Sequence, residues 1–80
     1  MKKVEFAKHG QLITLRIAEA FMVNGYRVFV DKENEASTTW VSGDGKTDRI
    51  FPTKEAAKNA ILTYVNRLLE CKAIENYIVY

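Results

Sequence analysis

Cysteine and histidine are almost absent from this chain of 80 residues, which contains one of each, Cys71 and His9. A single thiol cannot form an intramolecular disulfide, whereas small secreted domains usually depend on several. A metal site needs three or four suitable ligands, and a nucleophilic Ser or Cys needs a base within hydrogen-bond reach. We therefore expect no metal, no cofactor and no catalytic residues, a pattern that favours a binding protein over an enzyme.

Long apolar runs are also missing. The most apolar stretch, Ile17 to Val23, contains Glu19 and is far shorter than the ~20 residues that span a bilayer. The first residues, Met1 to Glu5, do not continue into an apolar segment of signal-peptide length. We therefore expect a cytoplasmic protein with no membrane partner.

Neither sign of charge dominates the sequence. Twelve Lys and Arg stand against ten Asp and Glu, for a net charge of +2, and each half of the chain holds six basic and five acidic residues. Nucleic-acid-binding domains usually gather their basic residues on one face, so this distribution selects no partner class. With 48% hydrophobic residues, four glycines and one proline, the composition predicts one folded domain over residues 1–80 without an internal linker.

The clearest predicted element is a helix from about Lys54 to Glu70. Thr53 can cap it by accepting a backbone N–H, and Glu55 suits the positive end of the helix dipole. Apolar residues recur every three or four positions and so share one face: Ala57, Ala60, Ile61, Tyr64, Val65, Leu68 and Leu69. This stripe predicts packing on a sheet, and Cys71 at its end is expected to be a small buried side chain.

A hairpin around Asn24-Gly25 is expected to supply part of that sheet. The dipeptide lies between two apolar runs and favours a two-residue turn, because both residues tolerate positive φ. Such a turn would pair Val23 with Tyr26 and Phe21 with Val28.

Other strands are expected on both sides of this hairpin. A second hairpin is predicted from residues 37–41 to residues 48–51, turning through Gly43-Asp44-Gly45. Near the amino terminus, a strand over residues 4–7 is predicted to turn through His9-Gly10, with the histidine exposed.

Residues 12–23 have two interpretations. Ile13, Leu15 and Ile17 alternate with other residues, which predicts a strand, whereas a helix ending at Asn24-Gly25 is the alternative, since Gly commonly ends helices. We prefer a strand over residues 12–17, because a helix would scatter these apolar residues around its circumference. Residues 76–80 are expected to form a short strand or a docked apolar tail. The fold class is therefore α+β, an antiparallel meander of four to five short strands packed on one long C-terminal helix.

The segment Thr53–Ile61 resembles the start of the final helix in double-stranded RNA-binding domains. In that family lysines at this point hold phosphates across the major groove, and the resemblance implies this role for Lys54 and Lys58. Glu55 stands in place of the second of the family's adjacent lysines, and Arg49–Pro52 replaces its Gly-rich loop. The same short pattern is similar to the arm-binding domains of phage integrases and to small antitoxin domains of the HicB type. A pattern shared by three unrelated families indicates only that a strand leads into a capped helix, and it does not identify a family.

Two binding hypotheses follow. The first is a small regulatory or inhibitory protein that docks on another protein, of the kind that phage and mobile elements encode. It is favoured by the missing catalytic chemistry and the mixed charge, and it allows a homodimer. Its expected contact residues form the apolar tail: Tyr77, Ile78, Val79 and Tyr80.

The alternative is a nucleic-acid-binding domain. It would stack bases on a sheet face and hold phosphates at the start of the helix. Its candidate residues are basic or aromatic: Lys46, Arg49, Lys54, Lys58, Arg27 and Trp40. The two hypotheses differ in salt dependence, because each neutralised phosphate releases counterions.

Overall fold

Five strands and one helix make up the computed structural model, which describes residues 1–80. The strands are β1 (Lys3–Lys8), β2 (Gln11–Glu19), β3 (Tyr26–Lys32), β4 (Thr38–Thr39) and β5 (Ile78–Val79), and the helix is α1 (Lys54–Glu70). All neighbouring strands are antiparallel, in the order β4-β3-β2-β1-β5. The expected α+β class is confirmed, with the helix bounds as predicted. No helix of the chain is both long and apolar enough to cross a bilayer.

Helix α1 begins at a side-chain cap. The Thr53 hydroxyl accepts the Ala56 N–H at 3.0 Å, which satisfies one of the free backbone donors of the first turn. Glu55 lies in that turn, where a carboxylate suits the positive end of the dipole. The sequence prediction identified the correct cap because all of these contacts are local.

The helix ends in a left-handed residue. Lys72 has a φ of 60°, its N–H donates to Leu69 O, and the Ala73 N–H donates to Leu68 O. These two bonds define a Schellman motif with lysine at the position where glycine is usual. Cys71 is exposed at this end, which corrects the expectation of a buried thiol.

One face of the sheet packs against α1. The alternation predicted for residues 12–17 is confirmed, since Ile13 and Leu15 are buried while Leu12 is 39% exposed. The core residues are at most 9% exposed: Val4, Phe6, Ile13, Leu15, Val28, Phe51, Ala57, Ile61, Val65, Leu68 and Ile74. Every polar or charged side chain lies outside this core.

The first two strands join at the turn predicted from the sequence. His9 and Gly10 both have positive φ, 52° and 74°, and β1 pairs with β2 from Lys8–Gln11 outward. His9 is exposed, as expected.

The connection from β2 to β3 differs from the predicted two-residue turn. Glu19, not Val23, pairs with Tyr26, so the chain forms a longer loop between the strands. The expected pairing of Phe21 with Val28 is wrong as well, because Phe21 lies within that loop.

Packing explains this difference. In the observed register Ile17 opposes Val28 and Leu15 opposes Val30, so aliphatic pairs lie beneath the helix. The predicted turn would shift the register by four residues and set Glu19 opposite Val30 under α1. A buried, unpaired carboxylate is far more costly than the gain from a favourable turn.

The segment 37–51 forms a looser hairpin than expected. Beyond β4 the two arms meet at a single bridge between Val41 and Asp48. The turn between them is held by Asp44, whose carboxylate accepts the backbone N–H groups of the residues two and three positions ahead. Phe51 leaves the hairpin and pairs instead with Tyr26, which carries the chain back toward the start of α1.

We expect Gly25→Ala to destabilise the domain. A Cβ at this position would lie 2.6 Å from Ile50 Cγ2 and 2.8 Å from Phe51 O, and such overpacking costs about 1–3 kcal/mol. The melting temperature should therefore fall by roughly 5–20 °C. Gly43→Ala is the matched control, because its Cβ would meet no atom within 4 Å. Equal melting temperatures for the two variants, followed by circular dichroism, would contradict this account of the loop.

Candidate binding surfaces

The six residues expected to bind nucleic acid do not share one surface. Trp40 packs edge-on against Tyr64 of α1, with ring centroids 5.3 Å apart. The Arg49 guanidinium lies 4.8 Å from the Trp40 ring centroid and 5.0 Å from that of Phe51. These residues therefore lie at the helix side of the sheet, whereas Lys46 is in the exposed turn beyond β4.

Two of the other three candidates are paired with carboxylates. The Arg27 Nε lies 3.3 Å from Asp48 Oδ2, without the alignment of a hydrogen bond. The Lys58 ammonium lies 4.0 Å from Glu55. Only Lys54 among these three has no carboxylate within 4.0 Å, and it is exposed at the first turn of α1.

The side of the sheet opposite α1 is called here the outer face. It presents the side chains that alternate with the buried ones, chiefly Lys3, Glu5, Leu12, Thr14, Arg16, Arg27, Phe29, Asp31 and Thr39. Both of its arginines are paired with carboxylates, Arg16 with Asp31 and Arg27 with Asp48. A surface that binds phosphates would keep such cations free, so the outer face is electrostatically balanced rather than basic.

Asp31 organises the centre of the outer face. Its carboxylate accepts the Arg16 Nε–H at 3.1 Å and the Ser37 hydroxyl. The hydrogen bond from Arg16, followed by that from Ser37, lowers the pKa of Asp31 below its ordinary value, and the nearby Lys3 adds to this effect. The Arg16 guanidinium also lies 4.7 Å from the Phe29 ring centroid.

The tail expected to contact a protein partner is docked on the chain's own sheet. Val79 pairs with Val4 of β1, and Tyr80 exchanges backbone hydrogen bonds with the start of β1 at 2.7 and 2.9 Å. Tyr77 donates its hydroxyl hydrogen to Asn66 Oδ1 at 3.0 Å. Although the side chains of Ile78, Val79 and Tyr80 stay about half exposed, their backbone closes the β1 edge of the sheet.

The most exposed apolar side chains lie in residues 20–25, called here the apolar loop. Phe21 is 82% exposed, Met22 is 87% exposed and Val23 is 48% exposed. Sequence reasoning missed this surface because it assigned these residues to a hairpin strand. The available signal was the run of three consecutive apolar residues, which cannot all face the core of a strand with one buried face.

Comparison of the chain with protein-family models, with curated proteins and with solved structures found no match.

Deletion of residues 77–80 is expected to destabilise the domain, because it removes β5 and exposes the edge of β1. We expect a loss of about 2 kcal/mol, since Tyr77 packs against the core and burial of a large side chain contributes roughly 1.5–3 kcal/mol. The melting temperature should fall by roughly 8–16 °C. An unchanged melting temperature would show that the tail does not support the fold.

Arg16→Gln should raise the pKa of the Asp31 carboxyl toward its ordinary value, which NMR titration of the carboxyl carbon measures. Because the folded-state pKa is lowered, the stabilisation by Asp31 is complete above the unfolded-state pKa of about 4 and is lost as the pH falls through the folded-state value. The melting temperatures of wild type and variant should therefore differ more at pH 7 than at pH 2. Arg67→Gln, at an exposed position without an ion pair, should leave the Asp31 titration unchanged.

Proposed function

We propose that this protein is a non-catalytic binding module that docks on another protein through its apolar loop. The observation that carries the proposal is the exposure of Phe21 and Met22, 82% and 87%, at consecutive positions of a folded domain. Single exposed apolar side chains are common on protein surfaces, whereas adjoining ones mark sites of interaction.

The apolar loop is an ordered structure. The Ala20 N–H donates to Gly25 O at 2.9 Å, and Tyr26 and Phe51 exchange two backbone hydrogen bonds of 2.8 Å at its base. Ala20 itself is 7% exposed and anchors the loop to the body. Met22, the most exposed apolar residue of the loop, has a left-handed backbone with a φ of 63°. A pre-ordered loop loses little conformational entropy on binding.

The free energy that the loop can contribute shows how large the contact with a partner must be. Burial of Phe21 and Met22 contributes about 1.5–3 kcal/mol each, which alone corresponds to an affinity near the millimolar range before the cost of association. A stable complex therefore needs more contact. Val23 and Ile50, 48% and 42% exposed, extend the surface, and the Ile50 side chain lies directly against Gly25.

The partner of this loop is an apolar socket on a different protein. Residues 20–26 carry no charged side chain, so the socket needs no compensating charge. Each cleft on the chain's own surface includes at least one charged side chain, so an uncharged socket on a different protein is the better match. A module that binds in this way acts by occupying its partner's surface, which is the action of a regulatory or inhibitory protein.

We expect the double variant F21S/M22S to lose partner binding while keeping its melting temperature, because both side chains are exposed in the free protein. Immobilised wild type, F21S/M22S and the control Val41→Ser are compared in capture from host lysate. Val41 is 38% exposed and lies outside the loop. A protein retained by wild type and control alone is then purified, and its affinity is measured by calorimetry at 0.1 and 0.5 M NaCl.

Direct binding that weakens by roughly 30-fold or more in F21S/M22S, as expected for truncated anchor residues, and that changes little with salt supports the proposal. Equal affinity of the purified partner for wild type and F21S/M22S contradicts it. So does self-association in analytical ultracentrifugation that F21S/M22S abolishes, because the loop would then bind a second copy.

A further inference from the structure

A basic cleft lies at the end of the sheet where α1 begins. It has a volume of about 420 Å³, which is in the range of small-ligand sites. Four of its seven lining residues are cations, Lys2, Lys3, Arg16 and Lys54. No Asp or Glu side chain lines it, in a chain whose acidic residues nearly equal its basic ones.

Three of these cations have no carboxylate partner. Of the four, only Arg16 forms an ion pair, with Asp31 outside the cleft, and Lys2, Lys3 and Lys54 have no carboxylate within 4.0 Å. Lys3 and Arg16 are directly opposite each other on β1 and β2, an arrangement of like charges that destabilises a sheet. Asp31 offsets part of this repulsion through its ion pair with Arg16, and the three lysines are left for an anion to neutralise.

The backbone around this cleft is fixed by hydrogen bonds. The Ile17 N–H donates to Lys2 O at 3.2 Å, and the Lys2 N–H donates to Tyr80 O at 2.7 Å. Aromatic rings position two of the ammonium groups, since Lys3 Nζ lies 5.1 Å from the Tyr80 ring centroid and Lys54 Nζ lies 5.9 Å from that of Tyr26. Of these two rings, that of Tyr80 lines the cleft itself.

We infer that this cleft binds a multiply charged phosphate group, carried either by a small phosphorylated molecule or by the backbone of a nucleic acid. Three free ammonium groups match the charge and the acceptor oxygens of a diphosphate better than those of a single carboxylate. This site is separate from the apolar loop. The sequence pattern grouped Lys54 with Lys58 and Arg49, whereas the cleft brings it beside Lys2 and Lys3.

The test is a calorimetric titration in phosphate-free buffer with three probes: sodium pyrophosphate, a short single-stranded oligonucleotide and a short duplex. The variants Lys2→Gln and Lys54→Gln are compared with wild type and with the control Lys32→Gln. The control removes one positive charge at an exposed position on the far end of β3, so it corrects for the change in net charge.

We expect each cleft variant to weaken binding by about 10-fold, the effect of losing one charge-assisted hydrogen bond, while Lys32→Gln changes it by less than about 2-fold. Pyrophosphate binding with this pattern identifies a small phosphorylated ligand. Binding of an oligonucleotide alone, with the same pattern and a steep loss at 0.3 M NaCl, identifies a nucleic-acid backbone. No saturable binding of any probe, or equal losses in the cleft variants and the control, overturns the inference.

Discussion

Burial of Leu15 and Val28 beneath α1 sets the position of the other features of this molecule. Both side chains are at most 1% exposed and contact a helix stripe whose central residues, Ile61 and Val65, are fully buried. A domain of this size has a single thin core, so the strand register that fills it prevails over local turn preference. Once β2 and β3 are fixed by this packing, Phe21, Met22 and Val23 have no place in the core, and the apolar loop projects outward from Ala20.

The small size of the domain also explains why the outer face is exposed to solvent. With one helix and one sheet, only one side of the sheet can be covered by the chain itself. The uncovered side is made compatible with water by ion pairs and by a cation lying over an aromatic ring, as at Arg16, Asp31 and Phe29. Cations that balance acids across the sheet are not free for a polyanion, whereas Lys2 and Lys54 in the basic cleft have no such partner.

Sequence reasoning succeeded where the decisive contacts are local. The helix bounds depend on Thr53 and on a periodic stripe, and the first turn depends on His9-Gly10, so each can be identified within a few residues. It failed at Asn24-Gly25, where the glycine is required by the close approach of Phe51 O and not by a positive φ. The basic cleft could not be predicted from the sequence either, because Lys2 and Lys54 are brought together only by the packing of α1 on the sheet.

The apolar loop and the basic cleft lie at the same end of the molecule, and the geometry of α1 accounts for both. The helix starts over Tyr26, the first residue of β3, so it does not extend over the loop that precedes Tyr26. The same boundary leaves the beginning of β1 uncovered beside Lys54. At the opposite end the helix C-terminus and the 33–35 turn bring acidic residues, among them Glu70 and Glu75. A small domain built with one helix thus leaves both the apolar loop and the basic cleft uncovered at the end where that helix begins.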